Sequence, residues 1–153
     1  MKQLVAFVIL VFTSGVAFGQ TQDTATADTP TPLSRPATAE MELSDFLWVS
    51  RPVIVFAESP NDPRFKKQMD LLNALPEELV KRDVVVITDT APDAETPIRE
   101  KLRPRGFMLV LIGKDGTILL RKPSPWDVRE LTRSIDKLPA RQQEMRDRRA
   151  PPK

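Results

Sequence analysis

The chain has no cysteine, no histidine and no tyrosine among its 153 residues, and only 5 glycines. Each absence removes chemistry. Without a thiol there is no disulfide, no thiol–disulfide exchange and no thiolate metal ligand. Without histidine, Ser-His-Asp and Cys-His relays are excluded together with most zinc sites. Acid–base work would fall to carboxylates, lysines and serines. Long hydrophobic runs are also missing. The most apolar stretch, Leu4 to Phe12, falls well short of the roughly 20 residues a helix needs to cross a bilayer. Nor does one sign of charge dominate, since Lys and Arg total 23 against 21 Asp and Glu, a net charge of +2. That near balance offers no electrostatic footprint for nucleic acid. The pI of about 9.1 follows from a small charge excess in a chain with no histidine to buffer it.

What is present begins with an export signature. Lys2 precedes an uncharged run from Leu4 to Ala17, followed by the small-x-small triplet Ala17, Phe18 and Gly19. This layout reads as a secretory signal peptide over residues 1–19. Gln20 stands where a lipoprotein would need cysteine, so the mature chain is expected to carry neither a membrane span nor a lipid anchor. The expected localisation is periplasmic or secreted, an oxidising setting that the cysteine-free chain enters without a disulfide framework. Residues 20–41 are rich in Thr, Ala, Asp and Pro and poor in large apolar side chains. Such a stretch buries too little surface to offset its ordering entropy and is expected to form a disordered leader.

From residue 42 the hydrophobic pattern changes. "LSDFLWVSRP" is a short helix or lead-in strand, with Trp48 expected in core or rim packing. Pro52 to Ala57 forms a continuous β-branched run, expected as a strand buried on both faces. Asn61 or Asp62 can cap the helix that follows, with Pro63 at its first position and Phe65, Met69, Leu72 and Leu75 as its apolar stripe. "PEELVKR" restarts a turn or two of helix. "DVVVITD" is a second strand, and Thr96 with Pro97 opens a short helix through Ile98 and Leu102. "FMLVLI" and "TILLRK" make a hairpin across "GKDG", a signature of a tight two-residue turn. In "SPWD", Ser124 is expected to cap the last helix, whose apolar face is Val128, Leu131, Ile135 and Leu138. Pro139 ends or kinks that helix, and residues 147–153 read as a basic, disordered tail.

The resulting order is β-α-β-α-β-β-α. Alternation at the start demands a crossover between parallel strands, while the tight turn makes the last pair antiparallel. The expectation is an α/β domain over residues 42–146 with a four-stranded mixed sheet flanked by helices, in the thioredoxin-like arrangement.

Four stretches carry a family resemblance: "RPVIVFA" at the first strand, "RDVVVI" at the second, "VLIGKDGTILLR" across the hairpin and "IDKLPARQQEMR" at the end. In these the chain resembles a family of uncharacterised exported bacterial domains, related to the peroxiredoxin-like domain of animal sushi-repeat-containing extracellular proteins. The resemblance spans Leu43 to Arg146 and departs from the family's pattern at Leu138 and Ala140, where methionine is usual. It implies a thioredoxin- or peroxiredoxin-like fold and no defined activity.

In thioredoxins the redox cysteines sit where the first strand meets its helix. Here that junction is Glu58, Ser59, Pro60, Asn61, Asp62 and Pro63. Counting back from Gly116, the place of the opposing cis-proline falls on Met108. Ser59 and Arg64 match the polar neighbours of a peroxidatic thiol, but without the thiol they make no peroxidase. Thiol–disulfide and thiol-peroxidase activities are therefore not expected, and no cofactor is called for.

The expected role is a non-catalytic domain that binds a protein partner or serves as a structural module. Its candidate binding residues are Glu58, Ser59, Asn61, Asp62 and Arg64 at the junction, and Arg141 and Glu144 near the C-terminus. Arg141 and Glu144 are also expected to pair with the domain. No metal site is called. The alternative is a cysteine-independent enzyme or divalent-cation binder using the loop carboxylates Asp89, Asp93 and Glu95, whose spacing matches no EF-hand pattern.

Overall fold

The computed structural model of the chain describes residues 34–149. The expected signal segment, residues 20–33 of the expected leader and residues 150–153 of the expected tail lie outside the described residues. The elements are β1 (Ser34–Pro36), β2 (Arg51–Phe56), α1 (Pro63–Ala74), α2 (Pro76–Val80), β3 (Val84–Asp89), α3 (Pro97–Leu102), β4 (Met108–Ile112), β5 (Ile118–Lys122), α4 (Val128–Asp136) and α5 (Pro139–Arg149). Short 3-10 turns cover Leu43–Phe46 and Pro92–Ala94.

The strands form one sheet in the order β1-β3-β2-β4-β5. β2 runs parallel to β3 and antiparallel to β4, and β5 returns antiparallel to β4. The helical crossover through α1 and α2 is what permits the parallel pair. Residues alternate between the two faces of each strand, so the central strands divide the core in two. Val53, Val55, Leu109 and Leu111 pack with Leu72, Leu79, Leu131 and Ile135, contributed by α1, α2 and α4. Ile54, Phe56, Val110 and Ile112 pack on the other face with Phe46, Ile98 and Leu102. The uninterrupted apolar runs are therefore the mark of a sheet covered on both sides.

Several details differ from the sequence reading. The sheet has five strands rather than four, because Ser34–Pro36, inside the stretch expected to be disordered, pairs with β3. Ala37 N–H extends that ladder to the Thr88 carbonyl at 2.8 Å. Backbone bonds along an open strand edge hold it, and a composition argument weighs only side-chain burial. Likewise, residues 147–149 of the expected tail continue α5, with Gln143 donating to Asp147 across one turn at 2.7 Å.

The cap of α4 is Asp127, which accepts from Arg129 N–H at 2.7 Å, rather than Ser124. The hairpin closes through Gly113 N–H to the Thr117 carbonyl at 2.8 Å, leaving three residues in the loop instead of two. Gly116 takes the left-handed position that such a loop requires, with φ of 81°.

Trp48 is the largest departure. It is 76% exposed and left-handed at φ 62°, held by its N–H to the Lys114 carbonyl at 2.7 Å.

Leu72 is fully buried in the helix-covered core. Leu72→Ala is expected to lower stability by about 2–5 kcal/mol through lost burial and a residual cavity. Urea denaturation would register this as a lower midpoint at unchanged slope.

Candidate functional site

The candidate residues fall at the two ends of the sheet. At the first, β2 and β3 finish and β4 begins, so Phe56 lies beside Asp89 and Met108. The junction after Ala57 belongs to this end. Its candidate residues are consumed by local structure. The Asp62 carboxylate accepts from Arg64 N–H at 2.8 Å and caps α1. The Arg64 guanidinium then folds back onto Asp62, with Nη2 to Oδ2 at 3.0 Å, and lies 5.5 Å above the Phe107 ring. Its hydrogen bonds to the carboxylate hold Asp62 below the usual aspartate range. Ser59 Oγ accepts from Asn61 N–H at 3.1 Å, and Glu58 is exposed. A helix end whose donors are capped by an ionised carboxylate has nothing left for an external anion.

The alternative carboxylate site does not assemble. Asp89 is buried and bound by Arg99 Nη2 at 2.8 Å and Thr96 Oγ1 at 2.7 Å. Arg99 reaches on to the Ala57 carbonyl at 3.1 Å, locking the ends of β2 and β3 together. Asp93 and Glu95 are exposed on the adjoining turn. Among the described residues no group of three carboxylates is placed to hold a metal ion.

The opposite end, about 20 Å away by the length of a six-residue strand, gathers the other two candidates. Arg51 opens β2 and is only 1% exposed. Its guanidinium donates to the Arg82 carbonyl at 2.9 Å and to Glu144 Oε1 at 2.7 Å. Arg141 donates to the other oxygen of Glu144 at 3.1 Å and to the Lys81 carbonyl at 2.9 Å. Lys114, from the hairpin loop, bonds Asp83 at 2.8 Å and lies 3.4 Å from Glu144. Arg148 donates to Asp83 at 3.0 Å. Nearby, Arg82 is held doubly by Asp136, at 2.9 and 2.6 Å.

Burial pushes the Glu144 carboxyl up, but hydrogen bonds from Arg51 and Arg141 and the charge of Lys114 outweigh it. The group is lowered from 4.5 to about 2.

Beside this network opens a cavity of about 670 Å³. Its apolar wall is Trp48, Leu119, Leu138, Pro139 and Ala140, and its polar wall includes Arg51, Lys114, Asp115 and Glu144. The size falls in the range of ligand pockets. Arg141 and Glu144 were legible as charges near a helical motif. Arg51, Lys114 and Trp48 were not: Arg51 opens a run read only for its apolar residues, Lys114 sits in a turn explained by hairpin geometry, and Trp48 was assigned to packing. The signal available was an arginine directly before a buried strand, a position where a charge needs a partner.

Residues 42–144 match the family described as Domain of unknown function (DUF4174). No curated protein matches the chain. Among solved structures, it is similar to chloroplastic thioredoxin z, with a TM-score of 0.52 and 20% identity over 67% of this chain and 94% of that one. It is also similar to the reduced 2-Cys peroxiredoxin of Plasmodium vivax, with a TM-score of 0.51 and 13% identity over 69% of this chain and 85% of that one. These likenesses establish a thioredoxin-like fold. The chain lacks the cysteine that thiol redox chemistry requires.

Because the folded Glu144 pKa is depressed, its contribution to stability is complete above about pH 4.5 and is lost as pH falls toward 2. Glu144→Gln is expected to cost about 3 kcal/mol at neutral pH by stranding Arg51, and to flatten the acid limb of a stability–pH curve measured by urea titration. Calcium or magnesium at millimolar concentration is expected to leave the melting temperature unchanged, because a native-state site would raise it.

Proposed function

From the premise that the chain belongs to the DUF4174 family, we propose that it is an exported, non-catalytic thioredoxin-like domain whose work is to bind a protein partner. The observation that carries this reading is the contrast between the two ends of the sheet. At the end where a thioredoxin keeps its thiols, Asp62 caps α1, Arg64 folds back onto the Asp62 carboxylate, and Arg99 holds the Ala57 carbonyl. At the other end an open cavity adjoins an exposed tryptophan. Tryptophan is a residue type on which interfaces concentrate their binding energy. Three of the four stretches that carry the family resemblance also converge there, through Arg51, Gly113–Asp115 and Leu138–Glu144.

Export rests on the sequence features of residues 1–19, and the absence of cysteine suits an oxidising compartment. The reading requires that the purified protein show no turnover in disulfide-reduction and peroxide-reduction assays. Photo-crosslinking in intact cells from a probe at Val49, which is 66% exposed, is expected to capture a protein partner, and a Trp48→Ala background is expected to reduce that capture at least tenfold. Redox turnover, or capture undiminished by Trp48→Ala, would overturn the proposal.

A further inference from the structure

Trp48 combines two properties that folding alone does not explain. Its backbone is left-handed at φ 62°, a conformation that suits glycine or asparagine and strains a bulky residue. Its side chain then leaves 76% of its surface in water, so burial does not offset the strain. The position is nevertheless fixed, because Trp48 N–H donates to the Lys114 carbonyl at 2.7 Å. Strain of this kind gathers at functional positions, and a rigid aromatic loses little entropy when it is covered.

Beside this projection lies a recess. Trp48 forms part of the wall of the 670 Å³ cavity whose apolar side is Leu119, Leu138, Pro139 and Ala140. A projection and a recess on one face are self-complementary. A two-fold axis passing between them carries the projection of each copy into the recess of the other.

The charges on this face permit that pairing. An isologous contact sets a surface against itself, so a patch of one sign would repel its own copy. Here the polar wall is balanced, Arg51 and Lys114 against Asp115 and Glu144, and it selects neither an anion nor a cation. An uncharged aromatic suits it. The indole brings one N–H donor. Acceptor capacity remains on the exposed Asp115, which takes one bond from Thr117 on each carboxylate oxygen. On its other side the same turn adds apolar surface, where Leu47 and Ile118, 39% and 43% exposed, line a recess of about 310 Å³ with Leu43 and Leu102.

We infer, resting on the protein-binding reading, that the partner is a second copy of this chain, paired about a two-fold axis with Trp48 of each copy in the cavity of the other. Each cavity then receives a side chain that only the partner copy supplies. The apolar centre is smaller than that of an obligate dimer, so pairing is a reversible, concentration-dependent equilibrium.

The chain is expressed in full, purified as the cells process it, and followed by sedimentation velocity from micromolar to near-millimolar concentration. The expected result is a monomer–dimer equilibrium. In a Trp126→Phe background, which removes the only other tryptophan, Trp48 emission is expected to shift to the blue with the same concentration dependence. Trp48→Gly removes the projection at a position whose backbone favours glycine. It is expected to raise the dissociation constant at least tenfold without lowering the urea midpoint of the dilute protein. Ala140→Trp, which fills the recess from an exposed site on its wall, is expected to weaken pairing likewise. An equimolar mixture of the two variants regains one projection in one open recess and is expected to pair more tightly than either variant alone.

A chain that stays monomeric throughout, a dimer unaffected by both variants, or a mixture no tighter than its components would overturn the inference. Failure of the broader reading is distinguishable. A Val49 probe that captures a different polypeptide in cells, while the purified chain stays monomeric, overturns the second-copy assignment and leaves protein binding in place.

Discussion

A guanidinium buried at the start of the central strand organises one half of this molecule. Taking Arg51 out of water costs several kcal/mol unless its charge and its donors are met. The chain meets them from three separate places: the Arg82 carbonyl at the end of the α2 crossover, the Glu144 carboxylate on α5, and Asp83, 4.0 Å away and itself bonded to Lys114. α5 illustrates the consequence. Its only buried residue is Arg141, so it lacks the apolar stripe by which helices ordinarily dock. It is held instead by Glu144 on Arg51, Arg141 on the Lys81 carbonyl and Arg148 on Asp83. The last helix therefore has a defined position because a strand begins with a buried charge.

The two ends of the sheet apply the same physics to different effect. Asp89 and Arg99 form a buried pair whose remaining donors reach the backbone at the ends of β2 and β3, closing the first end. The pair is saturated, and the place where related folds keep reactive sulfur becomes a strand-to-helix junction. At the second end the network is larger and less complete. The hairpin and the α4–α5 corner stand apart enough there to leave a cavity. One scaffold thus has a closed end and an end with an open cavity.

Most of the fold was legible in the residues. The β-branched runs of β2, β3 and β4, the Gly-rich hairpin and the Val128–Ile135 stripe of α4 each have a period and length that permit one element type. A cap at Asn61 or Asp62 was legible because such a residue before Pro at a helix start has a local mechanism, and the structure selects Asp62. The features that escaped were set by partners distant in sequence. β1 exists because β3 has an open edge to offer. Trp48 is exposed because its backbone bonds a hairpin loop 66 residues later. Arg51 meets Glu144 across 93 residues.

The sequence alone determined the chemistry that is impossible and the layout that is required. A chain with no cysteine or histidine cannot run a thiol or imidazole mechanism, and its hydrophobic periods allow a mixed sheet covered on both faces. These are local properties, written in residue type and spacing. Which charged side chains share a site was decided only by tertiary structure. Charge pairing depends on approach to within a few ångströms, and that approach is produced by the order of strands in the sheet, not by proximity along the chain.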